Sequence, residues 1–116
     1  MHEYSIIQAL LAKVDQEARA RGACAVHRLH LRIGELSGVE VELLTTAFDT
    51  FRERSLCAGA EMEVEPVAAE WSCPGCGEPI PRGAVLRCRA CGLPARLVRG
   101  DEIILDQIEL EVPDHV

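Results

Sequence analysis

The sequence CPGCGEPIPRGAVLRCRACG spans residues 73–92 and contains two matching C-x-x-C-G motifs, with eleven residues between Cys76 and Cys88. Zinc prefers four tetrahedral ligands, and two short loops that each present two sulfurs can close such a shell completely. A closed shell leaves no position for water or substrate. The spacing therefore predicts a structural zinc held by Cys73, Cys76, Cys88 and Cys91.

A redox dithiol pair and an iron–sulfur cluster are the alternative uses of these four cysteines. Gly77 and Gly92 follow the two pairs, at points where the backbone turns tightly and a side chain would obstruct N–H groups that point at sulfur. Two motifs, each followed by glycine, suit a zinc ribbon better than a redox site with a single motif.

Length and composition leave room for one domain and at most one small appended module. The chain has 116 residues, of which 48% are hydrophobic and 3% aromatic, so a small aliphatic core gains from a metal that ties the chain together. We find no secretory signal and no apolar run of about 18 residues. We therefore expect a cytoplasmic protein without a membrane segment, where paired cysteines more often bind metal than form disulfides.

Charge is distributed unevenly along the chain. The net charge is −7, but residues 71–100 contain five arginines against the single carboxylate of Glu78. An acidic protein lacks the positive electrostatic potential that attracts nucleic acid. With Trp71 as the sole aromatic residue of its ribbon, it also lacks a surface on which bases could stack. The arginines are better placed to contact an acidic partner protein.

Hydrophobic periodicity outlines the remaining elements. Helices are predicted at residues 5–20 and 37–54, the second starting with a capping box of Ser37 and Glu40. Strands are predicted at residues 26–33, 61–67 and 102–112. We expect an α/β fold of two helices on a three-stranded sheet with an inserted zinc-ribbon module. The predicted domains are residues 1–70 with 100–116, and residues 71–99.

The N-terminal residues form a potential chelate. The Met1 amine and the His2 amide nitrogen close a five-membered ring on a metal, and His2 Nδ1 with the same amide closes a six-membered ring. Three planar nitrogen donors favour Ni(II) or Cu(II). The fourth planar position is open to Glu3, to another histidine or to a partner protein.

Four stretches in the same order resemble the HypA/HybF family of nickel metallochaperones for hydrogenase maturation. They are Met1-His2-Glu3, Ile33-Gly34-Glu35-Leu36-Ser37, the paired cysteine motifs, and Ile108-Glu109-Leu110-Glu111. The resemblance implies nickel binding by Met1, His2 and Glu3, and structural zinc on the four cysteines. It also implies work with the GTPase HypB and insertion of nickel into the hydrogenase large-subunit precursor, or into urease. Some relatives add a histidine near the zinc motifs, whereas this sequence has none between residues 31 and 114.

Other candidate residues carry weaker signals. His27 and His30 are three apart on a predicted strand, face opposite sides and are interpreted as structural. His115 lies near the end of the chain, and Cys24 and Cys57 lack cysteine partners at ligand spacing. No catalytic arrangement stands out, so we do not expect an enzyme. The alternative function is a zinc-ribbon interaction or regulatory module, and the sequence does not give the oligomeric state.

Overall fold

The computed structural model describes residues 2–113 and contains two helices and two small sheets. The elements are, in chain order, α1 (His2–Ala20), β1 (Ala25–Gly34), α2 (Val41–Phe51) with a 3-10 turn (Arg52–Arg54), β2 (Glu61–Val67), β3 (Glu70–Ser72), β4 (Pro79–Ile80), β5 (Arg96–Arg99) and β6 (Ile103–Glu111). One sheet has the strand order β2-β1-β6 and the other β4-β3-β5. The predicted fold class is confirmed. Residues 1 and 114–116, and with them Met1 and His115, lie outside the described part.

The chain divides into two compact units. The first contains residues 2–32, 39–65 and 104–113 of the described part, and the second contains residues 33–38 and 66–103. The predicted module of residues 71–99 falls inside the second unit. That this module folds separately from the rest stays a prediction.

The core of the first unit is aliphatic, with one aromatic ring. Ile7, Val14 and Leu29 are fully buried, and Phe48 of α2 is 2% exposed. The buried residues of α1 recur at helical spacing, which is why the periodicity predicted this helix correctly. Burying each large side chain contributes about 1.5–3 kcal/mol, and helix–helix packing therefore supplies much of the stability of a chain this small.

The start of α2 differs from the prediction. The helix begins at Val41, not at Ser37, and its N-cap residue Glu40 makes no capping bond with its own side chain. The predicted capping box of Ser37 and Glu40 is therefore wrong. The Glu40 amide instead donates a 3.2 Å hydrogen bond to a carboxylate oxygen of Glu3 in α1.

Opposite charges line the exposed face of the first sheet. The central strand β1 presents cationic groups and the outer strands present carboxylates: Arg28 lies 3.2 Å from Glu63, and Arg32 lies 3.2 Å from Glu65. The glutamates of β2, interpreted as solvated from the sequence, thus also form ion pairs across the strands. Exposed pairs of this kind add little stability individually but favour one strand register.

Strand β3 is the centre of the second unit. It pairs antiparallel with β4 on one side and with β5 on the other. Glu35, just after β1, accepts hydrogen bonds from the Ala69 amide at 2.8 Å and from the Arg82 guanidinium at 2.5 Å. Arg82 first and the Ala69 amide second hold the pKa of Glu35 at about 2. Because this pKa is depressed, the contribution to stability is present above an ordinary carboxyl pKa and is lost as the pH falls towards 2.

Two glycines allow three backbone segments of the second unit to touch. A Cβ on Gly34 would lie 2.3 Å from the Gly100 carbonyl, and a Cβ on Gly100 would lie 2.5 Å from Ala69 Cα. Gly100 also has a φ of +107°, which side chains rarely adopt. Neither position therefore tolerates a side chain without a backbone shift.

We predict that Gly34→Ala lowers the free energy of unfolding by about 1–3 kcal/mol, the usual cost of overpacking a site with no free volume. Urea denaturation measures this as a lower midpoint at an unchanged slope. Gly59→Ala is the matched control, because a Cβ there meets nothing within 4 Å. Equal stability of the Gly34→Ala and Gly59→Ala variants would contradict the close approach.

Candidate metal centre

The four predicted zinc ligands lie together in the second unit. The sulfurs of Cys73, Cys76, Cys88 and Cys91 are all within 4.8 Å of one another, and they are the one such group of potential metal ligands within residues 2–113. The Cys76 and Cys88 sulfurs are 3.7 Å apart. A tetrahedral zinc with sulfurs at 2.3 Å requires an edge of about 3.8 Å. The cluster therefore fits a zinc site.

The two cysteine motifs share one backbone conformation. In the first motif the Gly77 amide donates to the Cys73 carbonyl at 2.8 Å, and in the second the Gly92 amide donates to the Cys88 carbonyl at 2.9 Å. Both glycines have a positive φ, 76° and 69°, so the motif uses glycine where the backbone turns back. Each C-x-x-C-G pattern thus specifies the same tight turn.

Backbone amides point at the sulfurs inside these turns. The Gly75 amide donates to Cys73 Sγ at 3.3 Å, and the Cys91 amide donates to Cys88 Sγ at 3.4 Å. Hydrogen bonds to a thiolate disperse its charge, and the Cys76 and Gly75 amides lower the pKa of Cys73 to about 7. Contacts with the Cys76 and Cys73 sulfurs raise the pKa of Cys91 to about 12. The Cys73 thiol thus ionises more readily than an ordinary cysteine and the Cys91 thiol less readily. Binding of a metal to all four cysteines therefore releases protons.

Arginines accompany the second motif. The Arg87 guanidinium donates a 2.6 Å hydrogen bond to the Gly92 carbonyl, and Arg89 lies exposed between the two cysteines of that motif. A metal with four thiolates carries a formal charge of −2. Arg87 therefore stabilises the turn and brings a positive charge to the second motif.

The N-terminal residues begin α1. His2 is exposed, and the neighbouring Glu3 is buried with its carboxylate turned to the start of α2. The Glu40 amide is the main cause of the lowered pKa of Glu3. Met1 lies outside the described residues, so the described part of the structure does not include the proposed amine donor.

Comparison with known proteins decides the family. Residues 1–110 match the family model described as "Hydrogenase/urease nickel incorporation, metallochaperone, hypA". The chain belongs to the HypA family. A hydrogenase maturation factor HypA of Nitrosospira multiformis is 41% identical over 95% of this chain and 97% of its own length. One of Wolinella succinogenes is 38% identical over 98% of both chains.

Solved structures of HypA proteins have the same fold. The solution structure of the nickel metallochaperone HypA from Helicobacter pylori superposes with a TM-score of 0.73, covers 96% of this chain and 98% of its own, and is 29% identical. A second HypA solution structure has a TM-score of 0.80 at 29% identity, covering 97% of this chain and 98% of its own. The family is one of metallochaperones. Among residues 2–113, no helix is long and apolar enough to cross a membrane.

Residues interpreted as structural from the sequence have their own contacts in this HypA-family chain. His27 lies 2.9 Å from Glu111, and His30 lies 3.0 Å from Asp106. Two consecutive exposed residues, His27 and Arg28, interrupt the alternation of β1. The expectation that His27 and His30 face opposite sides assumed a regular strand, and it therefore does not hold here. They nevertheless take different carboxylate partners.

The two cysteines outside the motifs differ in exposure. Cys57 is fully buried, and burial raises the pKa of its thiol to about 11, so it is an inert core residue. The exposed Cys24 thiol donates to Glu111 at 3.2 Å, and this hydrogen bond raises its pKa. Neither lies in the four-cysteine cluster.

We predict that Cys88→Ala removes the metal and loosens residues 71–99, while the core of α1, β1 and α2 keeps its protection. Three remaining sulfurs leave an open shell, and the short strands β3–β5 have little apolar burial to replace it. Amide hydrogen exchange measures the extent of the loss. Cys24→Ala is the control, because Cys24 is exposed and outside the cluster. Loss of protection throughout the chain would contradict a separately folding module.

Proposed function

We propose that this protein is a nickel metallochaperone that binds Ni(II) at its N-terminal motif Met1-His2-Glu3 and delivers it to the hydrogenase large-subunit precursor during maturation. The match of residues 1–110 to a nickel-incorporation family carries this proposal. The motif Met1-His2-Glu3 supplies nitrogen donors of the type that nickel prefers. The exposure of His2 supports it further, because a donor for a transferred ion must be reachable by the recipient.

In this proposal zinc has a structural role. The sulfur spacing fits a tetrahedral thiolate shell, and four protein ligands exclude substrate from the ion. Zinc holds the two turns of the ribbon together and takes no part in the transfer. The protein itself catalyses no reaction in this proposal, since its cargo leaves it chemically unchanged.

The nickel site works by chelation and proton competition. The amine and imidazole must both be unprotonated to bind, so nickel affinity falls in acid. Three donors in one plane leave the fourth position for a further ligand. An open position lets a recipient protein add its own donor before the carrier releases the ion, which favours transfer over loss to water.

The proposed partners follow from the same family membership. They are the GTPase HypB and the hydrogenase precursor, and the family description names urease incorporation as well. The proposed compartment is the cytoplasm, where the reduced thiols of a four-cysteine site persist. Nucleic acid is not a proposed partner, because a net charge of −7 opposes it.

One feature of the ribbon favours the second candidate function, an interaction or regulatory module. A groove of about 800 Å³ beside the second motif is lined by Ile80, Pro81, Val85 and Arg89 among others. Val85 is 80% exposed. Apolar surface next to a cation is typical of protein contact sites. In that function His2 would have no role in metal binding.

The test of the nickel function is His2→Ala in zinc-loaded protein. Loss of one of three planar donors should weaken Ni(II) binding by about tenfold or more, and hydrogenase maturation in the host should then require added nickel. His27→Ala is the matched control, because His27 is also exposed but pairs with Glu111 on the sheet. Unchanged nickel binding and maturation in His2→Ala would contradict the proposal and favour the interaction module.

A further inference from the structure

Two adjacent residues in the first turn of α1 contact opposite ends of α2. Glu3 reaches Glu40, the residue that precedes α2, whereas Tyr4 packs against Phe51, its last residue. An eleven-residue helix is about 16 Å long, so the first turn of α1 is held at two well-separated points. This turn also carries His2.

Glu3 supplies what the start of α2 lacks. Helices begin with N–H groups that have no intrahelical acceptor, and Glu40 makes no side-chain cap of its own. Glu3 Oε2 accepts the Glu40 N–H at 3.2 Å. A carboxylate at this end also interacts favourably with the helix dipole. Glu3 therefore caps α2 from a position 37 residues earlier in the chain.

The environment of Glu3 separates its carboxylate from the exposed side of the turn. The residue is 7% exposed, the one charged residue of the described part that is buried. Consecutive residues of a helix point about 100° apart, so Glu3 and the exposed His2 do not face each other. Turning the carboxylate towards a metal beside His2 would leave the Glu40 amide without this acceptor.

The other contact of the turn is aromatic. The rings of Tyr4 and Phe51 are 5.7 Å apart and meet edge-on at 87°. Such edge-to-face pairs contribute beyond simple burial and constrain orientation. With Glu3 at one end of α2 and Tyr4 at the other, the direction in which α1 presents its first residues is set by α2.

We propose that Glu3 is a positioning residue whose carboxylate caps α2 and thereby orients His2, and that this carboxylate stays on α2 when nickel is bound. The inference rests on the proposed nickel function. In this inference the Glu3 side chain binds the start of α2 and is not a ligand of the metal. Nickel affinity then depends on Glu3 through its hydrogen bond to α2.

The experiment compares Glu3→Ala and Glu3→Gln in zinc-loaded protein. Glu3→Ala removes the acceptor, and the loss of a cap should speed exchange of the Glu40 amide about five- to tenfold in nickel-free protein. Nickel binding should weaken by a similar factor. Glu3→Gln keeps a side-chain carbonyl that accepts the same hydrogen bond, so most of the protection and most of the affinity should return.

Glu17→Ala is the matched control, because Glu17 is an exposed glutamate of α1 that pairs with Arg21. It should change neither measurement. Equal loss of nickel affinity in Glu3→Ala and Glu3→Gln, with exchange at α2 unchanged, would show that the carboxylate binds the metal and overturn the proposal. Faster exchange without any change in nickel affinity would also overturn it.

The His2→Ala variant tests the nickel function independently of the Glu3 variants. If His2→Ala leaves nickel binding intact, that function fails whatever the Glu3 variants do. If His2→Ala abolishes binding and the Glu3 variants leave both exchange and affinity intact, the function stands and the positioning role fails.

Discussion

Four sulfur atoms within 4.8 Å of one another cannot all be thiolates unless a cation lies among them. The second unit depends on this electrostatic constraint, since its sheet consists of strands of two to four residues that bury little apolar surface. The Gly75 and Cys91 amides donate hydrogen bonds to sulfur and so offset part of the negative charge of the thiolates. We therefore expect metal binding and folding of this part of the chain to be one process.

The first unit has a different source of order. Its helices and central strand bury a conventional aliphatic core, and its charged groups pair across the exposed sheet face. Within it, Glu3 is the exception to the rule that carboxylates stay in water. A carboxylate is tolerated there because it accepts the Glu40 amide at the start of α2. The first turn of α1, which carries His2, is thereby held against α2.

Local patterns in the sequence predicted what is local in the structure. Helix α1 and strand β2 follow their hydrophobic periods, and strand β1 does so from Leu29 onwards. The cysteine spacing predicted which four sulfurs meet. The predicted start of α2 is wrong for a physical reason. Ser37 and Glu40 match a local capping pattern, but the acceptor for the Glu40 amide comes from Glu3. Periodicity also cannot detect β3, β4 and β5, because strands of two to four residues are too short to show an alternating pattern. The pairings of Glu35 with Arg82 and of His27 with Glu111 join residues 47 and 84 positions apart, which no spacing rule connects.

Nickel is proposed to bind at an N-terminal chelate. A Ni(II) titration of zinc-loaded protein tests this site by comparing a chain whose first residue is Met1 with the same chain carrying one additional residue ahead of Met1. The addition keeps every side chain but removes the Met1 amine from its five-membered ring. If nickel binds at this chelate, the extended chain loses high-affinity binding of one nickel per chain. Equal affinity of the two proteins would contradict it and place the nickel elsewhere.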